Sequence, residues 1–200
     1  MHLRLGAGEW VSVTGPSGCG KSTLGNVLLG LRRPDRGQVR RAAGPAARFG
    51  KLYQDPVATF APHQPLRAAL AEVAALHRVA WSQAGTLMER LRVGDTLLDR
   101  HPDAVSGGEL QRIAIVRALL PGPAFLFADE PTSRLDPITQ RDTLDALRTA
   151  TAERNCAVLL VTHDPALAAK MAARGFSLGD RAQPRRMIPP RMAETGFRWR

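Results

Sequence analysis

The run Gly15-Pro16-Ser17-Gly18-Cys19-Gly20-Lys21-Ser22-Thr23 restricts this chain more than any other feature. It satisfies the spacing G-x-x-x-x-G-K-S. Before it, Trp10 to Val13 reads as a short strand. After it, Ser22 to Leu31 reads as a helix with Leu24, Val27, Leu28 and Leu31 on one face. A strand that enters a helix through a glycine-rich turn aims its backbone N–H groups inward, around phosphate oxygens. The helix that follows adds its positive N-terminal end. In such a loop Lys21 reaches the terminal phosphates and the Ser22 hydroxyl can ligate Mg²⁺.

The rest of the chain alternates in the same manner. Phe49 to Tyr53 reads as a strand ending at Gln54, and Asp55 to Pro65 as an extended loop with three prolines. Leu66 to Val79 reads as a helix with a stripe of Leu66, Leu70, Val73 and Leu76. Gln83 to Val93 and Asp95 to Asp99 read as further helices. A helix through Ala118 follows the polar segment Val105-Ser106-Gly107-Gly108-Glu109-Leu110-Gln111-Arg112. Phe125 to Ala128 and Ala157 to Val161 are buried strands, and helices are expected from Pro137 to about Glu153 and from Pro165 to about Ala173. This alternation predicts an α/β fold with a mainly parallel sheet. The strand-free block from Leu66 predicts a helical subdomain over about 66–118, within one domain over 1–180.

Two carboxylates, Asp129 and Glu130, stand where an apolar strand leaves the core. Asp129 suits Mg²⁺, directly or through water. Glu130 suits an attacking water as general base. His163 follows the strand Val158 to Val161, and Asp136 precedes the helix at Pro137, where it is an N-cap. Ser106-Gly107-Gly108 opens a helix and, like the phosphate loop, aims an N-terminus at an anion.

The order of these three segments, the phosphate loop, then Val105 to Arg112, then Phe125 to Glu130, resembles the ATP-binding cassette (ABC) family. The resemblance runs from about Gly8 to Leu167. It implies a P-loop NTPase core with ATP and Mg²⁺ as ligands. By the same resemblance, Gly15 to Thr23 are expected to bind the nucleotide, and Lys21, Gln54, Glu130 and His163 to serve hydrolysis, with His163 on the γ-phosphate. Ser22, Gln54 and Asp129 are expected to hold the metal. Ser106, Gly107, Gly108 and Asp136 (in Ser133-Arg134-Leu135-Asp136) are expected to face ATP held by a second subunit. The resemblance also implies that Gln54 couples the nucleotide site to membrane subunits. The run Gln54-Asp55-Pro56-Val57-Ala58-Thr59-Phe60-Ala61-Pro62, with His101-Pro102, looks like the oligopeptide, dipeptide and nickel importer ATPases. The family's antiparallel strands ahead of the Gly8-Glu9 turn, with their adenine-stacking aromatic, are expected to be truncated. Trp10 is expected to pack in the core. Arg134 replaces a small residue and is expected to add bulk and charge at a dimer interface.

Composition bounds the remaining choices. The net charge is +10, and seven arginines lie from Arg174 onward, so residues 181–200 read as a basic Pro/Arg-rich tail. Charge of this kind speaks to partners and solubility, not to fold. No apolar run approaches the ~20 residues of a membrane span. Cys19 and Cys156 do not make a disulfide framework. The implied partners are a like or unlike ABC ATPase, integral-membrane permease subunits and, indirectly, a solute-binding protein; nucleic acid is not expected. The implied location is cytoplasmic, on the inner face of the cell membrane. A DNA-maintenance ABC ATPase would need a long heptad insertion, for which Gln54 to Ser106 is too short. A degenerate or regulatory ABC protein is the other alternative.

Overall fold

The computed structural model describes residues 2–41 and 48–179 and the backbone of 196–197. They form two compact units, Met1–Lys51 with Ala124–Glu130 and Asn155–Arg200, and Leu52–Pro123 with Pro131–Arg154. The basic tail expected over 181–200 falls, but for the backbone of 196–197, outside the described residues.

In the first unit, β1 (Leu5–Gly6) pairs antiparallel with a second two-residue strand, Gly196–Phe197. Thus one short strand precedes the Gly8-Glu9 turn. The main sheet contains β2 (Trp10–Thr14), β3 (Phe49–Leu52), β4 (Phe125–Asp129), β5 (Ala157–Val161) and β6 (Arg174–Ser177), in the order β3-β4-β5-β2-β6. Pairings of β2 with β5, β2 with β6 and β4 with β5 are all parallel. All five residues of β5 are buried, as are the first four of β2 and of β4. Such continuous burial is what a parallel strand covered on both faces requires. Alternate residues Val11 and Val13, Phe125 and Phe127, and Ala157, Leu159 and Val161 share one core cluster with Leu28. The period of two places them on a single sheet face.

Leu28 comes from α1 (Lys21–Leu29), which packs on β4 and β5. Its buried positions are Lys21, Gly25 and Leu28. Leu31, expected on this face, is 69% exposed, because the helix stops at Gly30 with a left-handed φ of 83°. Gly25 takes the inner position because a Cβ there would overlap the ring of Phe127.

The second unit is helical: α2 (Leu66–His77), α3 (Trp81–Arg90), α4 (Gly107–Leu119) and α5 (Pro137–Ala152). α2 buries Leu66, Ala69, Leu70 and Ala74, while Leu76 is 77% exposed. The inner stripe therefore runs through alanines, which allow close approach, rather than through Leu76. The loop read as extended contains a 3₁₀ turn, Val57–Thr59, and Asp95–Asp99 is also 3₁₀. Arg67 bridges Asp95 and Asp99, and Arg90 bridges Glu153. In the first unit α6 (Pro165–Met171) follows β5 and leads into β6.

Candidate functional site

In parallel sheets the carboxyl ends of adjacent strands face one way, and ligands bind there. Here β2 ends at Thr14, just before Gly15, β4 at Asp129, just before Glu130, β5 at Val161, just before Thr162 and His163, and β6 at Ser177. A cleft of about 550 Å³ opens at this edge. It is lined by Thr14, Gly15, Pro16, Ser17, Lys21, Glu130, His163, Pro165 and Ser177.

The loop between β2 and α1 is built for close approach by an anion. Gly15, Gly18 and Gly20 have φ of 144°, 77° and 102°, and a side chain on Gly15 would overlap the carbonyl of Leu178. Gly20 is the N-cap of α1, and no side chain caps the helix. A helix start without a side-chain cap leaves its first-turn N–H groups room for an anion. Lys21 is 8% exposed, and its Nζ donates to the carbonyls of Gly15 (2.8 Å) and Pro16 (2.9 Å). Those two bonds fold the ammonium over the loop. Ser22 is exposed at the helix start, and Cys19 is a free, half-buried thiol.

Glu130 leaves the sheet abruptly. Its N–H donates to the Val161 carbonyl at 3.0 Å, continuing the β4–β5 ladder, and its φ is then 45°. That left-handed turn lets the carboxylate meet the His163 ring, with Oε2 3.3 Å from Nδ1. The bond forms when Nδ1 carries the proton. Asp129, one residue earlier, is half-buried and pairs with Val161 in the ladder.

The second unit holds the other residues singled out in the sequence. Ser106 caps α4: its Oγ accepts from the Glu109 N–H, while Glu109 Oε2 accepts from the Ser106 N–H at 2.8 Å. The Ser106 hydroxyl, which also donates to Oε2 at 2.7 Å, and after it the Ser106 N–H hold the Glu109 carboxyl below its ordinary value. A Cβ on Gly108 would press on Thr139 of α5. Asp136 caps α5, its Oδ1 accepting from the N–H groups of Thr139 (3.0 Å) and Ile138 (3.1 Å); a bond from the Thr139 side chain, and after it these N–H bonds, hold its carboxyl below the ordinary value. Gln54 Nε2 donates to Ser133 Oγ at 3.4 Å.

Arg134, expected to add bulk and charge at a dimer interface, pairs with Asp55 at 2.7 Å within its own chain, its side chain still largely exposed. Trp10 is buried, as expected. Thr14, Pro165 and Ser177 line the cleft but were not singled out in the sequence. The signal for Thr14 was its place as the last residue before the phosphate loop. Ser177 depends on β6, whose Arg-Gly-Phe-Ser has no alternation to announce a strand. Among the described residues no group of three or more His, Cys, Asp or Glu could hold a metal, and no helix is long and apolar enough to cross a membrane.

A family model described as ABC transporter matches residues 1–133. The nickel import ATP-binding protein NikE of Shigella dysenteriae serotype 1 (strain Sd197) is 30% identical over 191 residues, covering 87% of this chain and 71% of that protein. The probable D,D-dipeptide transport ATP-binding protein DdpF of Escherichia coli (strain K12) is 36% identical over 179 residues, covering 87% and 58% respectively. Among solved structures, the dimeric post-hydrolysis state of the ATP-binding cassette MJ0796 bound to ADP and Pi matches with a TM-score of 0.74 and 27% identity. It covers 88% of this chain and 83% of that one.

Proposed function

This chain belongs to the ABC transporter family and is an ATPase, and from that premise we propose that it powers an importer of peptides, nickel or a similar small solute. Two subunits close over two ATP molecules, and hydrolysis reopens them. The partner ATPase is a second copy or a related chain. Permease subunits dock near Gln54 and the helical unit on the inner face of the membrane, with a solute-binding protein delivering cargo to the permease. The importer assignment is supported by the similarity to NikE and DdpF and by the Gln54-Asp55-Pro56 run.

In this reading the N–H groups of Gly15 to Thr23 cradle the phosphates, and Lys21 turns from its loop carbonyls to the terminal phosphate. Mg²⁺, when bound, neutralises phosphate charge. One hydroxyl (Ser22), one carboxylate (Asp129) and one amide oxygen (Gln54) suit this ion, which takes few protein ligands alongside substrate phosphates. Glu130 accepts the proton of the attacking water. His163 donates to Glu130 through Nδ1 and so holds the carboxylate ready; in the imidazolium form, where both ring nitrogens donate, Nε2 reaches the γ-phosphate. Ser106, Gly107, Gly108 and Asp136 contact the nucleotide of the partner.

The observation that carries the reading is the Glu130–His163 pair at the mouth of the cleft that also holds Lys21. Its test is the Glu130→Gln variant, which keeps the shape and removes the base. Light scattering with ATP and Mg²⁺ is expected to show a dimer, with turnover lower by about 10²–10⁴. Bound ATP without a dimer would point to an unlike partner. No ATP binding would overturn the reading.

A further inference from the structure

Two consecutive residues of one loop face two consecutive residues of another: Gln54 meets Ser133, and Asp55 meets Arg134. Their rungs differ in strength. The Gln54 Nε2 to Ser133 Oγ bond is 3.4 Å, at the outer limit of such bonds. The Arg134 Nη1 to Asp55 Oδ2 contact is 2.7 Å, a charge-assisted bond. Each charged partner is also braced on its own side. Asp55 Oδ1 accepts the Val57 N–H at 3.0 Å, which fixes the carboxylate over the 3₁₀ turn. Around Arg134, Thr132 Oγ1 accepts from Gln140 Nε2 at 3.1 Å, the Leu135 N–H donates to the Thr132 carbonyl at 3.1 Å, and Asp136 caps α5.

We infer that Asp55 and Arg134 are positioning residues for nucleotide hydrolysis. Their ion pair locks the loop after β3 to the loop before α5 and thereby sets the side-chain amide of Gln54. The inference rests on the proposed role of Gln54 at Mg²⁺. The pair contributes position, not stability: the side chains are 59% and 37% exposed, and such pairs add little to folding.

The test is steady-state ATPase activity across a Mg²⁺ titration for wild type, Gln54→Ala, Arg134→Ala, Arg134→Lys, Asp55→Asn and the Arg134→Ala/Asp55→Asn double variant. Asp55→Asn keeps the oxygen that accepts from Val57 and removes the charge. Supporting a metal ligand from behind is typically worth 10–100-fold, and this exposed pair is expected at the lower end, about tenfold. Arg134→Ala and Asp55→Asn should each lower kcat and raise the Mg²⁺ midpoint by up to about that factor. The double variant should match either single one, and Arg134→Lys should recover most of the loss. ATP affinity in EDTA should not change. Singles within twofold of wild type in both quantities, or a double variant showing the product of the singles, would overturn the inference. If Gln54→Ala loses turnover while Arg134→Ala and Asp55→Asn keep it, the proposed function stands and the positioning role falls. An inactive wild type removes both.

Discussion

Replacing Gly25 with alanine tests how the phosphate-loop helix is seated. In a helix, Ala is favoured over Gly by about 1 kcal/mol. At Gly25 that gain meets an obstacle: an added Cβ would overlap Cζ, Cε1 and Cε2 of Phe127. The Phe127 ring is fully buried in the cluster with Val11, Val13 and Leu159, so it has nowhere to retreat in a close-packed core. Overpacking costs about 1–3 kcal/mol, and overlap with three ring atoms puts this position in the upper part of that range, at about 2–3 kcal/mol. Setting one against the other, Gly25→Ala should destabilise by about 1–2 kcal/mol. With m near 2 kcal/mol/M, the urea midpoint falls by roughly 0.5–1 M. Gly85 is the control. It lies inside α3, and an added Cβ there meets nothing within 4 Å. Gly85→Ala should stabilise by up to about 1 kcal/mol. Because α1 begins at Lys21, displacement of the helix should also weaken ATP binding in Gly25→Ala and not in Gly85→Ala, by titration calorimetry. A Gly25→Ala protein as stable as wild type would show that α1 does not rest on Phe127 as described.

Three other expectations follow from particular bonds. Ser106→Ala removes the hydroxyl half of the α4 capping box, leaves the backbone N–H bond to Glu109 Oε2, and should cost about 1 kcal/mol in urea unfolding. The part owed to Glu109 depends on pH. Its folded pKa is depressed, so its contribution is present above the ordinary carboxylate value and is lost as pH falls through the depressed one. The stability gap between wild type and Glu109→Gln should therefore close on acidification below about pH 4.3, and a gap that widened there would contradict the assignment. His163→Ala should lower kcat by up to about 10²-fold with ATP affinity nearly unchanged; a loss confined to affinity would place His163 in binding alone. Glu130→Gly should be more stable than Glu130→Ala by about 1–2 kcal/mol, because both lose the side chain and only Ala keeps the cost of the left-handed φ. Equal unfolding midpoints would mean that the backbone there carries no strain.

The buried parallel strands were legible because burial on both faces writes an uninterrupted apolar run. β4 and β5 needed nothing more. The helix faces were less legible, since periodicity identifies candidates and neighbours choose among them. On α1 the inner face passes through Gly25 because Phe127 requires the space, and Leu31 lies past the Gly30 stop. On α2, Ala69 and Ala74 take the place that a leucine count assigned to Leu76. β6 was obscure for a related reason. Its Gly175 is fixed by proximity to Ser12 of β2, where a side chain would overlap the hydroxyl. No local pattern encodes such a contact. The same holds for Asp55 and Arg134: each was visible as a residue type, but their pairing joins loops far apart in sequence.

The residues gathered at the cleft share a structural origin. Gly15, Glu130, His163 and Ser177 each stand at or just beyond the end of a strand, where the sheet's hydrogen-bond ladder stops and the backbone can turn. The stiff apolar segments fix where those ends fall, since the register Val11 to Leu159 and Ala128 to Leu160 leaves no freedom to slide without exposing a buried row. The site itself then needs only short departures from that frame: positive φ at Gly15, Gly18 and Gly20, and the left-handed turn at Glu130. A non-glycine residue in that conformation costs about 1–2 kcal/mol, which a glycine would avoid. Here the strained position carries the carboxylate that meets His163, and no glycine supplies one. Under the proposed function, the strain at Glu130 falls where the carboxylate is needed. Asp129, still inside the ladder, keeps ordinary strand geometry while the next residue does not.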